Sequence, residues 1–245
     1  MDKLFSKNVD FHDDVLRNIV SLRKTEDLFD DINDADEDLS NLANAVESLV
    51  KKEIPHGMIA EDFHYSTAIT YPFKTEPFMA SRYSDGTFGI WYGSLELETT
   101  IFETVYHMIQ MESQIENLNE VIIRERAVYK VYCEAILMDF RKRQDHYPEL
   151  IANEYYFTQK IGQKLHKEGH PGLLAPSARH TGSNIVAFNP NILSNPRNYC
   201  YLTYIFYPET EEVFVERTPG KTLLKISKNH FDQQRRSEFL VPNTM

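Results

Sequence analysis

The sequence predicts a mixed α+β fold preceded by a helical N-terminal extension. From about residue 60 onward, short β-prone runs are separated by Pro and Gly, and the helical patterns are too few to alternate with every strand, as a doubly wound sheet requires. Before that point the texture differs, with no Gly ahead of Gly57.

In the first 53 residues, Val15, Ile19 and Leu22 form one apolar stripe at helical spacing and Leu39, Leu42, Val46 and Leu49 another. The acidic run around them includes Asp34, Asp36 and Asp38. A calcium loop there is excluded, because Leu39 occupies the turn-glycine position and Ala45 the position of the closing Glu. The run reads instead as a solvated helix face or an interaction arm. Ile54-Pro-His-Gly57 breaks the pattern and sets the expected boundary: a helical extension over 1–57 and a compact domain over 58–245.

Within that domain, Ser66 to Tyr71 and Phe88 to Tyr92 read as β-prone. Leu95 to Met111 reads as a helix with Ser94 as its cap and Leu97, Ile101, Val105 and Met108 as its core stripe. Glu103 lies off that stripe, beside Thr99, Tyr106, His107 and Gln110. Val121 to Met138 reads as strand, and Pro148 to Glu168 as a helix closed by Gly169. Leu173 to Leu174, Asn184 to Phe188, Tyr199 to Tyr207 and Glu212 to Glu216 read as strands, the last two joined by a turn at Pro208 to Glu211.

Composition narrows the function. An apolar share of 42% supports a buried core, and no apolar run reaches membrane-spanning length. The start carries no secretory signal pattern, and Cys133 and Cys200 form neither a disulfide framework nor a C-x-x-C pair, so a soluble, cytoplasmic protein is expected. A net charge of -11 argues against nucleic acid as a partner. It would also repel an anionic ligand, so such a ligand needs locally placed arginines; Arg82 and Arg179 stand out for that reason.

Walker-type, dinucleotide-fingerprint and H-E-x-x-H motifs are absent, the histidines show no metal-ligand spacing, and no metal is expected. Ser177 lies in Pro-Ser-Ala-Arg rather than G-x-S-x-G, so a hydrolase elbow is not indicated. Taken singly, Arg82, Glu103 and Ser177 each have an ordinary structural explanation. Their joint context is what distinguishes them.

The stretch from Ser81 through Arg82, Tyr83, Gly86, Tyr92 and Ser94 to Glu98, Thr99 and Glu103 resembles the RES domain, named for an arginine, a glutamate and a serine. Gly172 to Phe188, with Pro176-Ser-Ala178 and Asn184, resembles the family's closing motif. The resemblance covers roughly residues 62–220. It implies an ADP-ribosyltransferase-like mixed sheet core with flanking helices. It also implies an enzyme that consumes NAD as substrate by cleaving the nicotinamide-ribose bond as a glycohydrolase or phosphorylase, the toxin of a toxin-antitoxin pair.

A cognate antitoxin protein would then be a partner, and self-association through the arm is compatible with the sequence. The alternatives are an ADP-ribosyltransferase modifying a protein target, and a catalytically inactive RES-like binding protein.

Under that resemblance Arg82, Glu103 and Ser177 are the catalytic candidates, and His64, Tyr65, Tyr83, Tyr92 and Asn184 the NAD-binding ones. Glu103 would face the positive charge that develops on the ribose. Arg82 would grip the pyrophosphate, or a ribose hydroxyl and Glu103. Ser177 would bind the ribose or hold Glu103. Tyr83 and Tyr92 would either stack on a ligand ring or pack in the core. His64-Tyr65 stands where the family has an Arg followed by an aromatic residue, which places a partial charge where a full one is expected.

Overall fold

The computed structural model describes residues 3–21, 66–74 and 77–231. Their strands are β1 (Asn8–Val20), β2 (Trp91–Ser94), β3 (Ile122–Asp139), β4 (Gly172–Pro176), β5 (Ser183–Ala187), β6 (Leu193–Tyr207), β7 (Glu212–Thr218) and β8 (Lys221–Ser227). The two longer helices are α1 (Leu97–Glu112) and α2 (Tyr156–Lys167). All eight strands join one mixed sheet, which makes the fold α+β. No helix among the described residues is long and apolar enough to cross a membrane.

β3 is the spine. One edge pairs antiparallel with β1 from Asn8↔Met138 to Val20↔Arg126. The opposite edge is divided: β6 pairs antiparallel from Ile122 to Cys133, and β4 pairs parallel at Met138 and Asp139. β4, β5 and β2 continue antiparallel, and β2 meets β1 at Leu16↔Ser94, so the pairing β1–β2–β5–β4–β3 returns on itself. β6, β7 and β8 extend away as an antiparallel meander.

The helical expectation for the N-terminal region is corrected over Asn8–Val20, which is a strand of the central sheet. Val15 and Ile19 are four apart, and that spacing shares one side of either a helix or a strand. The decisive neighbours are Val9 and Phe11, which continue the same strand face into the core with Val15 and Ile19, while Leu16 packs on the other side. The second apolar stripe, the acidic run and the expected boundary at residue 57 lie outside the described residues.

A second correction concerns Ser66 to Tyr71, expected as strand. It forms a π-helical turn, Ser66–Thr70, that runs into the helical turn Tyr71–Lys74. Adjacent Ala68 and Ile69 are both buried, which alternation cannot achieve, and the Trp91 indole donates to the Ala68 carbonyl at 2.7 Å. Tertiary contact overrides β-propensity here.

α1 begins at Leu97 with Glu96 in the cap position, so Ser94 is not the cap but the last residue of β2. Its stripe of Ile101, Val105, Met108 and Ile109 packs on Leu202, Tyr204, Phe206, Val213 and Val215 of the meander. Each fully buried aliphatic side chain of this kind contributes roughly 1.5–3 kcal/mol. α2 is shorter than expected, because Pro148–Leu150 is a separate 3-10 turn; Gly169 closes the helix at φ +73°. β8, which follows the Gly220 turn, was not anticipated.

The Asp139 carboxylate, at the end of β3, has no exposed surface and receives Lys7 at 2.7 Å and Arg141 at 2.9 Å. Burial alone would raise its pKa, but the hydrogen bonds from Arg141 and Lys7 outweigh it and hold the group at about 2. Its folded pKa is therefore depressed, so its contribution is complete above the unfolded value and is lost as pH falls toward 2. Asp139→Asn should lower stability by about 2 kcal/mol at pH 7, and the gap to the unchanged protein should close between about pH 4 and pH 2 in urea titrations.

On the other side of the sheet, α2 approaches the turn Ser81–Ser84 so closely that a Cβ on Gly162 would overlap the Tyr83 carbonyl. Gly162→Ala should destabilise the fold by about 1–3 kcal/mol in the same titration, despite the better helix propensity of Ala.

Candidate active site

Glu103 projects from α1 toward β5 and the loop after β4. Its Oε1 accepts from the Ser177 hydroxyl at 2.6 Å and from the Asn184 amide at 2.8 Å. The proton positions follow from the network. The Arg179 and His180 backbone N–H groups both donate to Ser177 Oγ at 3.1 Å, so the single hydroxyl proton is left for Glu103. Asn184 Oδ1 accepts from Ser94 Oγ at 2.7 Å, which turns its amide nitrogen toward Glu103. Oε2 of Glu103 has no hydrogen-bond partner among the described residues.

Each of these side chains is set by its element. Ser94 and Asn184 are directly opposed across the β2–β5 pair. Ser177 immediately follows β4, in a loop tied back by its own N–H donating to the Gly182 carbonyl at 2.9 Å. That loop is locked to the start of α1: Thr99 Oγ1 lies 2.9 Å from Glu96 Oε2 and 2.9 Å from His180 Nδ1, and the His180 ring stacks on Phe102. A Cβ on Gly182 would collide with Thr99 and Glu96, so the approach requires glycine.

Arg82 sits in the Ser81–Ser84 turn. Its guanidinium donates through Nη1 to the carbonyls of Leu150 and Ala152 at 3.2 and 2.6 Å and lies 4.7 Å from the Tyr155 ring centre. Arg179, 4% exposed, donates to Asn153 Oδ1 at 2.8 Å and stacks 3.5 Å from the Tyr106 ring centre. Both guanidinium groups exert their charge on the same surroundings, since Arg82 and Glu103 each act on Arg179. His107, one turn beyond Glu103 on α1, keeps an exposed surface; the protein around it lowers its pKa from the ordinary imidazole value, and the pull of Glu103 opposes that. Both arginines thus grip one segment, Arg82 through the Leu150 and Ala152 carbonyls and Arg179 through Asn153, while the loop that carries Arg179 holds Ser177 against Glu103.

Tyr83 and Tyr92 are scaffold here. Tyr83 is 1% exposed and packs with Phe88, Ile161 and Leu165, which favours the packing alternative over ligand stacking for its ring. The Tyr92 hydroxyl accepts from the Tyr83 N–H at 3.0 Å and lies 3.0 Å from Ser81 Oγ, holding the turn that carries Arg82. Burial pushes the Tyr92 phenol up to about 12, keeping it neutral in that role. Gln159 of α2 adds a hydrogen bond to the Ser81 carbonyl at 3.0 Å.

His64 and Tyr65 lie outside the described residues. Ser94, Tyr106, Asn153 and Tyr155 join the site without having been expected there. Tyr106 alone had a signal, its place three residues after Glu103 on the exposed side of the helix. Among the described residues, no group of three or more His, Cys, Asp or Glu side chains is placed to hold a metal ion.

A chain of the crystal structure of the M. tuberculosis MbcT-MbcA toxin-antitoxin complex aligns over 94% of this chain and 92% of its own, at 8% sequence identity and a TM-score of 0.43. No curated protein sequence matches. Residues 53–206 match the RES domain, a span that contains Arg82, Glu103, Ser177 and Asn184 and more than half of the chain. The chain is therefore a member of the RES domain family.

Proposed function

We propose that the protein consumes NAD by cleaving the bond between nicotinamide and ribose, as a glycohydrolase or phosphorylase. The observation that carries this reading is the held carboxylate: Glu103 is fixed at Oε1 by Ser177 and Asn184 while Oε2 is unpartnered among the described residues. Cleavage transfers the bonding pair to the pyridinium nitrogen and leaves the ribose carbon as an oxocarbenium-like centre. A fixed carboxylate oxygen facing that carbon stabilises the charge that appears in the transition state.

Nicotinamide departs as a neutral molecule, so the leaving group needs no proton and a single carboxylate suffices. The acceptor oxygen, from water or phosphate, then bonds to the ribose carbon; water loses its proton in that step. In this scheme Ser177 is a positioning residue acting through Glu103, and Arg82 binds the dinucleotide. The toxin role, with an antitoxin protein occluding the cleft, is part of the same proposal and rests on family membership.

The test is incubation of the purified full chain with NAD, with and without phosphate, following nicotinamide, ADP-ribose and its phosphorylated product. Glu103→Gln should cut nicotinamide release by about 100-fold or more while leaving the thermal midpoint close to that of the unchanged protein. An unaffected rate removes Glu103 from the mechanism. Label from NAD appearing on protein rather than in free ADP-ribose would establish the transferase alternative, and absence of turnover at high protein concentration the inactive one.

A further inference from the structure

Among the described residues, the carboxylate-paired arginines are Arg124 with Glu112, Arg141 with Asp139 and Arg197 with Asp14. Arg179 is different. It is almost fully buried, yet its partners are an amide oxygen of Asn153, the face of Tyr106 and, at 3.5 Å, its own neighbour's carbonyl. Neutral partners fix the guanidinium in place without cancelling its charge. Burying a cation in that way is costly unless an anion arrives to complete the site.

Arg126 is also held by neutral groups, Asn18 and the Tyr204 ring, but it is anchored to β1 and β6. Arg179 belongs instead to the loop whose N–H groups orient Ser177, and it exerts its charge on the surroundings of Glu103 and Arg82. Arg82 repeats the pattern: among the described residues its partners are two carbonyls, reached through Nη1, and the Tyr155 ring. In a chain of net charge -11, two such arginines beside one carboxylate form a local exception to the global field.

We propose that Arg179 is a second anion-binding residue of the Glu103 site, gripping together with Arg82 the diphosphate of a nucleoside diphosphate moiety. The planar fork, already seated on Tyr106, presents its remaining N–H groups to phosphate oxygens without further ordering. The inference rests on the dinucleotide reading of the site, and the experiment separates the two.

Calorimetric titration of ADP and of adenosine into the full chain, compared with Arg179→Gln and Arg179→Lys, isolates the phosphate contribution. The unchanged protein should bind ADP at least about 10-fold more tightly than adenosine, and Arg179→Gln should erase that margin while leaving adenosine affinity within about twofold. Arg179→Lys, which keeps a charged aliphatic stem over Tyr106, serves as the folded control and should retain part of the margin. In NAD turnover, KM should rise about 10-fold in Arg179→Gln with a smaller change in kcat.

Equal loss of ADP and adenosine in both variants, an unchanged ADP margin in Arg179→Gln, or no ADP preference in the unchanged protein would each overturn the assignment. The NAD-cleavage reading fails separately, if ADP binds as expected but no nicotinamide is released.

Discussion

A strand edge can satisfy only one partner at each position, and β3 meets that constraint by dividing one of its edges between two neighbours. β6 occupies it up to Cys133 and β4 takes it at Met138 and Asp139, while β1 runs along the whole of the other edge. Two neighbours leaving one edge cannot stay side by side. The meander of β6, β7 and β8 and the β2–β5–β4 group therefore part from each other, and α1 is seated on the first of them. Glu103 comes from that helix, whereas Ser177 and Asn184 come from the second group, so their hydrogen bonds to Oε1 tie α1 to that group.

The electrostatics follow from the same arrangement. Arg82 enters from the turn ahead of β2 and Arg179 from the loop after β4, and neither meets a carboxylate at ion-pair distance among the described residues. Both are held by carbonyl or amide oxygens and aromatic faces, which restrict the guanidinium without neutralising it. The acidic character of the whole chain is thus reversed over a few side chains, which is the condition an anionic substrate requires.

How much of this was legible in the sequence depended on whether a feature is local. The α1 stripe, the hairpin turn at Pro208 and the closing Gly169 are set by neighbours in the chain and read correctly. Arg82, Glu103 and Ser177 were found through the order and spacing of a family pattern, not through periodicity. β1 was misread because Val15 and Ile19 satisfy the helical and the strand period alike. Ser66 to Thr70 was misread because its carbonyl and buried residues answer to Trp91, a partner remote in sequence. Ser94 looked like a helix cap and is instead the donor that orients Asn184, a role fixed by strand pairing and invisible along the chain. The tyrosines beside Arg82 could stack or pack, and only burial separates those choices.

The orientation of the network has a further consequence for how the site works. Ser177 has two backbone donors on its oxygen and Asn184 has Ser94 on its carbonyl, so neither can turn away from Glu103 without leaving a partner unsatisfied. Their joint hold on Oε1 restricts rotation of the carboxylate and leaves the second oxygen as the one available to a ligand. In the proposed cleavage, an oxygen held still before a ligand arrives would stabilise a transient positive charge with no reorganisation at the moment the charge forms. The tight approach at Gly182 and the Thr99–His180 contact keep the serine loop at its distance from α1. Under the proposed function, Ser177 acts by placing a carboxylate oxygen of Glu103, to which its hydroxyl donates at 2.6 Å, and not as a nucleophile.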